Sequence, residues 1–216
     1  ILENDILNFK RFIPESKILN SLINNKLYSF LKKKKMKTKY SGILDYGRNI
    51  NSAFLLVRSL FLPNEINELI DQNTFKKGYI ELDVLNTLNK DISNIKDTRL
   101  SIMYLEIKYY LCSKLLRDAD WTSMANSIEL RTPLVDWSFF NKLIPLIKND
   151  NSINKKLASK SMKDKIPKDI INRKKTGFVI PHDLYLKKMS YKKEYANPIR
   201  DWSILSYEKY LQNKKN

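Results

Sequence analysis

Glu129 and Arg131 stand two residues apart in the run Ile128, Glu129, Leu130, Arg131, Thr132, with Pro133 next. A proline disfavours helical geometry at the residue before it, so Thr132 is pushed towards an extended conformation, and Glu129 and Arg131 project from an irregular or extended strip. On the residues alone, a carboxylate and a guanidinium so placed can pair with each other as a partly buried brace for the strip. Lys155 and Lys156 follow Asn154, whose side chain suits a helix N-cap, and on the residues alone they read as exposed helix lysines. Gly177 lies among Lys174, Lys175, Thr176 and Phe178 in a segment, 173–181, that reads as a loop, and it supplies a backbone position tolerant of positive φ.

Several chemistries are closed to this chain. A histidine-based triad or metal site would rest on His182 alone, and its place after Pro181 at a helix start reads as a surface imidazole. One cysteine, Cys112, excludes an internal disulfide framework and a zinc site of several thiolates, and makes a reducing compartment the default. On a helical face shared with Leu105, Tyr109 and Leu116, it is expected to pack as a small apolar residue. A phosphate cradle needs several glycines whose amides can point at the anion, and the four glycines here include no adjacent pair. The formal charge of +17 invites a nucleic-acid reading, a basic helical module whose cations gather on one face and whose binding falls steeply with salt. Lysine is instead spread along the whole chain with abundant asparagine and isoleucine, a pattern that biased codon usage produces, so a nucleic-acid partner is not expected. The one true cluster, Lys32 to Lys35 with Lys37 and Lys39, follows an amphipathic helix, where cations favour the C-terminal dipole.

The elements that must hold these residues are helices. At 216 residues, 43% apolar and 29% charged, the chain has the composition of a folding globular protein, one domain or a large piece of one. No apolar run approaches the roughly 18 to 20 residues that cross a bilayer, and a cytoplasmic location is expected. Because the first residue is Ile1, the sequence is expected to be part of a longer product. Helical spacing runs from Pro14 through Leu31, from Ser52 to Leu62, and, after Pro63 at a first turn, through Ile66 to Ile70. Gly78 marks a break before Tyr79 to Leu88, and the longest helix is read from Thr98 to Arg117. Asp118 or Asp120 suits the cap of a short helix through Met124, Asp136 the cap of one through Ile144, and Asn154 the cap of one through Met162. An aromatic-rich helix around Trp202, Tyr207 and Tyr210 closes the chain, so the predicted class is mainly α.

Ser123, Met124, Ala125, Ser127, Glu129, Arg131, Pro133 and Asp136 follow the order and spacing of the asparagine synthase signature, and the chain resembles that family. The resemblance extends to Tyr104-Leu-Glu-Ile-Lys, to Asn154-Lys-Lys-Leu, to Arg173-Lys-Lys-Thr-Gly-Phe-x-x-Pro181, and to Lys39 through Leu69, which is similar to the family's helical linker. It implies that residues 1–216 form the C-terminal helical portion of an α/β, adenine-nucleotide α-hydrolase-like synthetase domain, without the glutaminase domain and the pyrophosphate loop. Ser41, Gly42, Ile43, Leu44, Asp45, Tyr46 resembles that loop only superficially, since Ile43 stands for its second glycine and Tyr46 for its terminal hydroxyl. The implied activity of the whole enzyme uses ATP and Mg2+ to activate the aspartate side-chain carboxylate as an acyl-adenylate, which glutamine-derived ammonia then amidates. Amidation of another carboxylate, or a non-catalytic scaffold role, is the alternative. By position, Lys155 matches the lysine that approaches the reacting phosphate and acyl groups, and Glu129 and Arg131 match acidic and basic positions near the acyl-adenylate. Lys175 and Gly177 fall in a loop able to close over the site. Trp121 stands where many members carry a cation, and Ser159 where an arginine commonly follows.

Overall fold

The computed structural model describes residues 42–150, 152–162, 165–173, 180–192 and 194–215; of Ile43, Leu44, Lys155, Lys156 and Lys215 it describes the backbone alone. The helix expected after Pro14, the lysine cluster 32–39, Lys175 and Gly177 lie outside the described residues. Among those described, the regular structure is helical: α1 (Ile43–Tyr46), α2 (Ile50–Arg58), α3 (Pro63–Leu69), α4 (Gln72–Leu82), α5 (Val84–Ile92) and α6 (Thr98–Leu105) come first. A π-helical segment, Glu106–Leu116, leads into α7 (Arg117–Met124), followed by α8 (Trp137–Asn149), α9 (Lys155–Ser161), α10 (Lys168–Asn172), α11 (His182–Lys188) and α12 (Pro198–Lys215). The chain divides into two units, Ile1–Ile107 with Ile180–Asn216, and Lys108–Val179.

The first unit owns the buried core. α2 packs against α5 and α6 through Ala53, Leu56, Leu88, Ile92, Ile102 and Leu105, all buried. α2 stops at Arg58, four residues short of the expected Leu62, and Ser59 and Leu62 are extended, because Pro63 forbids helix at the residue before it and restarts one at its own position. Gly78 is no break: α4 runs through it, and no glycine among the described residues has positive φ. The break falls at Asp83, left-handed at φ 37° and ψ 48°, a conformation that aspartate tolerates better than most residues. Its carboxylate accepts from Asn86 Nδ2 at 2.9 Å.

Glu65 and Arg200 tie the two ends of this unit together. Glu65 Oε2 accepts from the Leu62 backbone N–H at 2.9 Å, closing the first turn of α3, while Oε1 accepts from Arg200 Nη2, 135 residues further on. The Arg200 guanidinium, 5% exposed, also lies over the Phe61 and Tyr195 rings, at 4.3 and 4.7 Å from their centroids. Beside it Asp201 is fully buried and accepts from the backbone N–H groups of Glu194 (2.9 Å) and Tyr195 (3.3 Å), which fixes the entry into α12. His182, expected at the surface, is half-buried edge-on to Trp202, with centroids 5.8 Å apart.

The second unit has no such core: among its described residues none is buried. Its α7 continues the helical run from Thr98 rather than starting anew, so neither Asp118 nor Asp120 is an N-cap. The π-helical segment also moves Cys112. Its hydrogen bonds reach five residues back, as does that of Ser113 Oγ to the Lys108 carbonyl at 2.7 Å, so the α-helical spacing that put Cys112 on a buried face does not hold and the thiol is exposed. The expected caps do hold: Asp136 Oδ1 accepts from Phe139 N at 2.7 Å and Asn154 Oδ1 from Leu157 N at 3.1 Å.

Two measurements check this account. Glu65→Gln keeps an acceptor for Leu62 but leaves the Arg200 charge buried without its counter-charge, so chemical denaturation should show a loss of about 3 kcal/mol, against less than about 0.5 for exposed Glu68→Gln. Burial, then the neighbouring Tyr79 and Asp45, pushes the Tyr46 hydroxyl up from 10.0 to about 12. The folded state therefore holds this proton more tightly than the unfolded one, and the associated stability is present below pH 10 and lost as pH rises towards 12. Tyr46→Phe should flatten that alkaline loss.

Candidate active site

The signature residues occupy a strip fixed at both ends. At the first, α7 ends in a Schellman motif: Ser127 N–H donates to the Met124 carbonyl at 2.9 Å and Ile128 N–H to the Ser123 carbonyl at 3.0 Å, with Ser127 left-handed at φ 56°. Glycine usually fills that position, and serine here accepts the steric cost of a Cβ. At the other end, Thr132 to Val135 form a turn closed at 2.9 Å, with Pro133 at its second position, and the Asp136 cap starts α8 directly afterwards. Residues 128–132 between these stops carry no regular structure, as the sequence indicated.

Residues two apart on an extended strip share a side, which brings Glu129 and Arg131 together. Arg131 Nε donates to Glu129 Oε1 at 3.0 Å and Nη2 to Oε2 at 3.3 Å, a two-pronged pair. The two side chains are 82% exposed for Arg131 and 71% for Glu129, so the pair is no buried brace. An exposed pair contributes roughly 0 to 1 kcal/mol, and both groups are open to a ligand. Ile128 and Leu130, also exposed, alternate with them along the strip.

Upstream, Thr122 Oγ1 and Ser123 Oγ bond back to the carbonyls of Asp118 (2.6 Å) and Asp120 (3.0 Å), and Asn126 Nδ2 donates to the Thr122 carbonyl at 2.9 Å. Their polar side chains therefore brace the end of α7. The Arg117 guanidinium lies 5.0 Å from the centre of the Trp121 ring, bringing a cation to the position where the sequence places an indole. Periodicity offered a signal for this contact, since residues 117 and 121 are one helical turn apart. Lys155 is the first residue of α9, its backbone set by the Asn154 cap; its side chain, with Lys175 and Gly177, is outside the described residues. Glu129 and Arg131 are thus the two expected site residues that the structure joins.

Gly42 can be tested as a phosphate-approach glycine. It is buried, and a Cβ built there would collide with Leu62 Cδ1 and lie 3.3 Å from Tyr46 Cδ2, so its bareness makes room for a leucine and not for an anion. Residues 43–46 after it are helical, which removes the superficial likeness to a pyrophosphate loop. Among the described residues no three carboxylate, imidazole or thiol groups gather as a metal site built from protein side chains alone would need. No helix among them is long and apolar enough to cross a membrane.

The asparagine synthase family model matches residues 18–213, nearly the whole chain. This chain belongs to the asparagine synthase family. It is similar to the glutamine-hydrolysing asparagine synthetase 1 of Bacillus subtilis (strain 168), 33% identical over 108 residues, which are 49% of this chain and 17% of that protein. No solved structure matches it. The all-helical architecture of the described residues fits the helical part of the family's adenine-nucleotide α-hydrolase-like domain.

The Schellman stop gives a direct check. Ser127→Gly removes a strain of roughly 1 kcal/mol, so the amides of residues 127 and 128 should exchange with solvent about fivefold more slowly, measured by NMR. Ser127→Val should accelerate both.

Proposed function

We propose that this chain is the helical portion of an enzyme that adenylates the side-chain carboxylate of aspartate with ATP and amidates it with ammonia released from glutamine. The observation that carries this reading is the strip 123–136, in which the family's signature is held between two backbone stops with Glu129 and Arg131 paired and open to a ligand. In the first step a carboxylate oxygen attacks the α-phosphorus and pyrophosphate leaves; in the second the ammonia nitrogen attacks the acyl carbon and AMP leaves with the bonding pair.

Each residue then has work that suits its chemistry. Lys155 places an ammonium where negative charge builds on departing pyrophosphate, and a preorganised cation lowers that barrier without reorganising solvent. Arg131 holds an anionic group near the acyl-adenylate, while Glu129 fixes the guanidinium plane and accepts a proton from the incoming amine. Lys175 and Gly177 are assigned to substrate or nucleotide binding on the strength of the family's Arg-Lys-Lys-Thr-Gly-Phe pattern. We assign ammonia supply and the main phosphate cradle to segments other than residues 1–216, a reading supported by a match that covers 17% of a relative named as glutamine-hydrolysing. We place the enzyme in the cytoplasm.

The test is made in the full-length polypeptide that carries this sequence, with ammonia supplied directly. If Lys155 stabilises charge that develops only during adenylation, Lys155→Ala lowers kcat and kcat/KM together, by about a hundredfold to a thousandfold, in aspartate-dependent pyrophosphate formation. Lys156→Ala, about 100° round the helix, stays near normal. Equal rates for the two variants overturn the assignment.

A further inference from the structure

The first unit contains an apolar cavity of about 280 Å³ between α2, α3, α4 and the start of α5, and Glu129, Arg131 and Lys155 are not among its lining residues. Leu55, Phe61, Ile66, Ile70, Phe75 and Leu82 line it, and the hydroxyl-bearing side chains on its wall are Ser59, Thr74 and Tyr79. Phe75 and Tyr79, stacked with centroids 5.5 Å apart, form one side.

Gly78 is the second observation. A glycine inside a helix costs roughly 1 kcal/mol relative to alanine, and is normally explained by positive φ or by a neighbour too close for a Cβ. Neither applies: its φ is not positive, and a Cβ there would have nothing within 4 Å. What its bareness does is leave the cavity wall open, since Gly78 is one of the lining residues.

Charge is the third. In a chain of net charge +17, the stretch from Pro63 to Asp83 carries Glu65, Glu68, Asp71, Glu81 and Asp83 against Lys76 and Lys77 alone. Glu65 is taken by Arg200, but Asp71 and Asp83, at the two ends of α4, accept hydrogen bonds from Thr74 N and from Asn86 Nδ2, both neutral donors. Each adjoins lining residues, Ile70 in one case and Leu82 and Val84 in the other.

We propose that this cavity is a binding site for a small hydrophobic cation, an amine carried on a ring system or branched chain. An apolar cavity of about 150 Å³ already admits benzene, so this one accommodates a bicyclic ring system, and the acidic ends of α4 favour an attached ammonium over a carboxylate. The probe is 1-naphthylmethylamine, titrated calorimetrically into the full chain and compared with neutral 1-naphthalenemethanol and anionic 1-naphthylacetate. The amine should bind best and the acetate worst. Gly78→Leu, a better helix former that fills the opening, should weaken amine binding at least about tenfold with Tm unchanged or raised. The double change Asp71→Asn with Asp83→Asn keeps a cap former and a left-handed-tolerant residue, and should bring the amine down to the affinity of the alcohol. Equal amine binding by the wild type and Gly78→Leu, or no preference for the amine over the alcohol, overturns the proposal. Absence of binding that is restored by Ile23→Glu, a change on the apolar side of the helix the sequence predicts from Pro14 through Leu31, would show the cavity filled by the chain's own residues, and overturns it equally.

Discussion

Much of the first unit depends on one buried cation. Arg200 is an arginine with almost no contact with water, a state that is tolerable only while Glu65 neutralises it and two aromatic faces surround it. Satisfying it recruits the chain from both ends, the turn before α3 and the first turn of α12. The carboxylate that answers Arg200 also closes the start of α3, so a local feature of helix initiation and the longest-range contact described share one side chain. The paired Arg58 and Glu106 do a similar service between α2 and the π-helical segment, with Nε to Oε1 at 2.7 Å. In a chain so rich in lysine, both of these ties use arginine, whose planar fork can meet a carboxylate on two edges.

What could be read from the sequence was local, and what could not was tertiary. Proline at 63 and 133, aspartate at 136 and asparagine at 154 act on the backbone within four residues, and their effects appear as expected. Gly78 misled because composition registers a helix-weakening residue without saying whether packing compensates for it, whereas Asp83, the true break, carries only the weaker signal of a residue that tolerates left-handed backbone. Cys112 was misplaced by the assumption of a constant α-helical turn, which the π-helical segment violates. The pairing of Glu129 with Arg131 followed from Pro133 and a two-residue spacing. Its exposure did not, since burial depends on what covers the strip and not on the strip. The Glu65 to Arg200 contact spans 135 residues and leaves no trace in any window of sequence.

The second unit gives the signature strip a well-defined backbone on a weakly packed support. Its order comes from hydrogen bonds at helix ends: the Schellman stop, the Pro133 turn, and the Asp136 and Asn154 caps. α8 even tolerates Pro145 in its interior, at the loss of one helical hydrogen bond. Large apolar side chains, among them Trp121, Leu134 and Trp137, remain exposed around the strip. Such a support can hold two charged groups a fixed distance apart, and it leaves the apolar surface as the part still to be covered.

A segment with no buried residue has no physical reason to open as a block. Cooperativity in a protein comes from side chains that lose many neighbours at once, and the described residues of Lys108–Val179 have none that are sealed from water. Its helices are therefore expected to open one at a time, with the Asp136 and Asn154 caps holding α8 and α9, while the first unit has a buried core that gives it reason to open as a block. A single melting temperature would describe the first unit and average over the second, so for this chain thermal stability is a property of an element, not of the molecule.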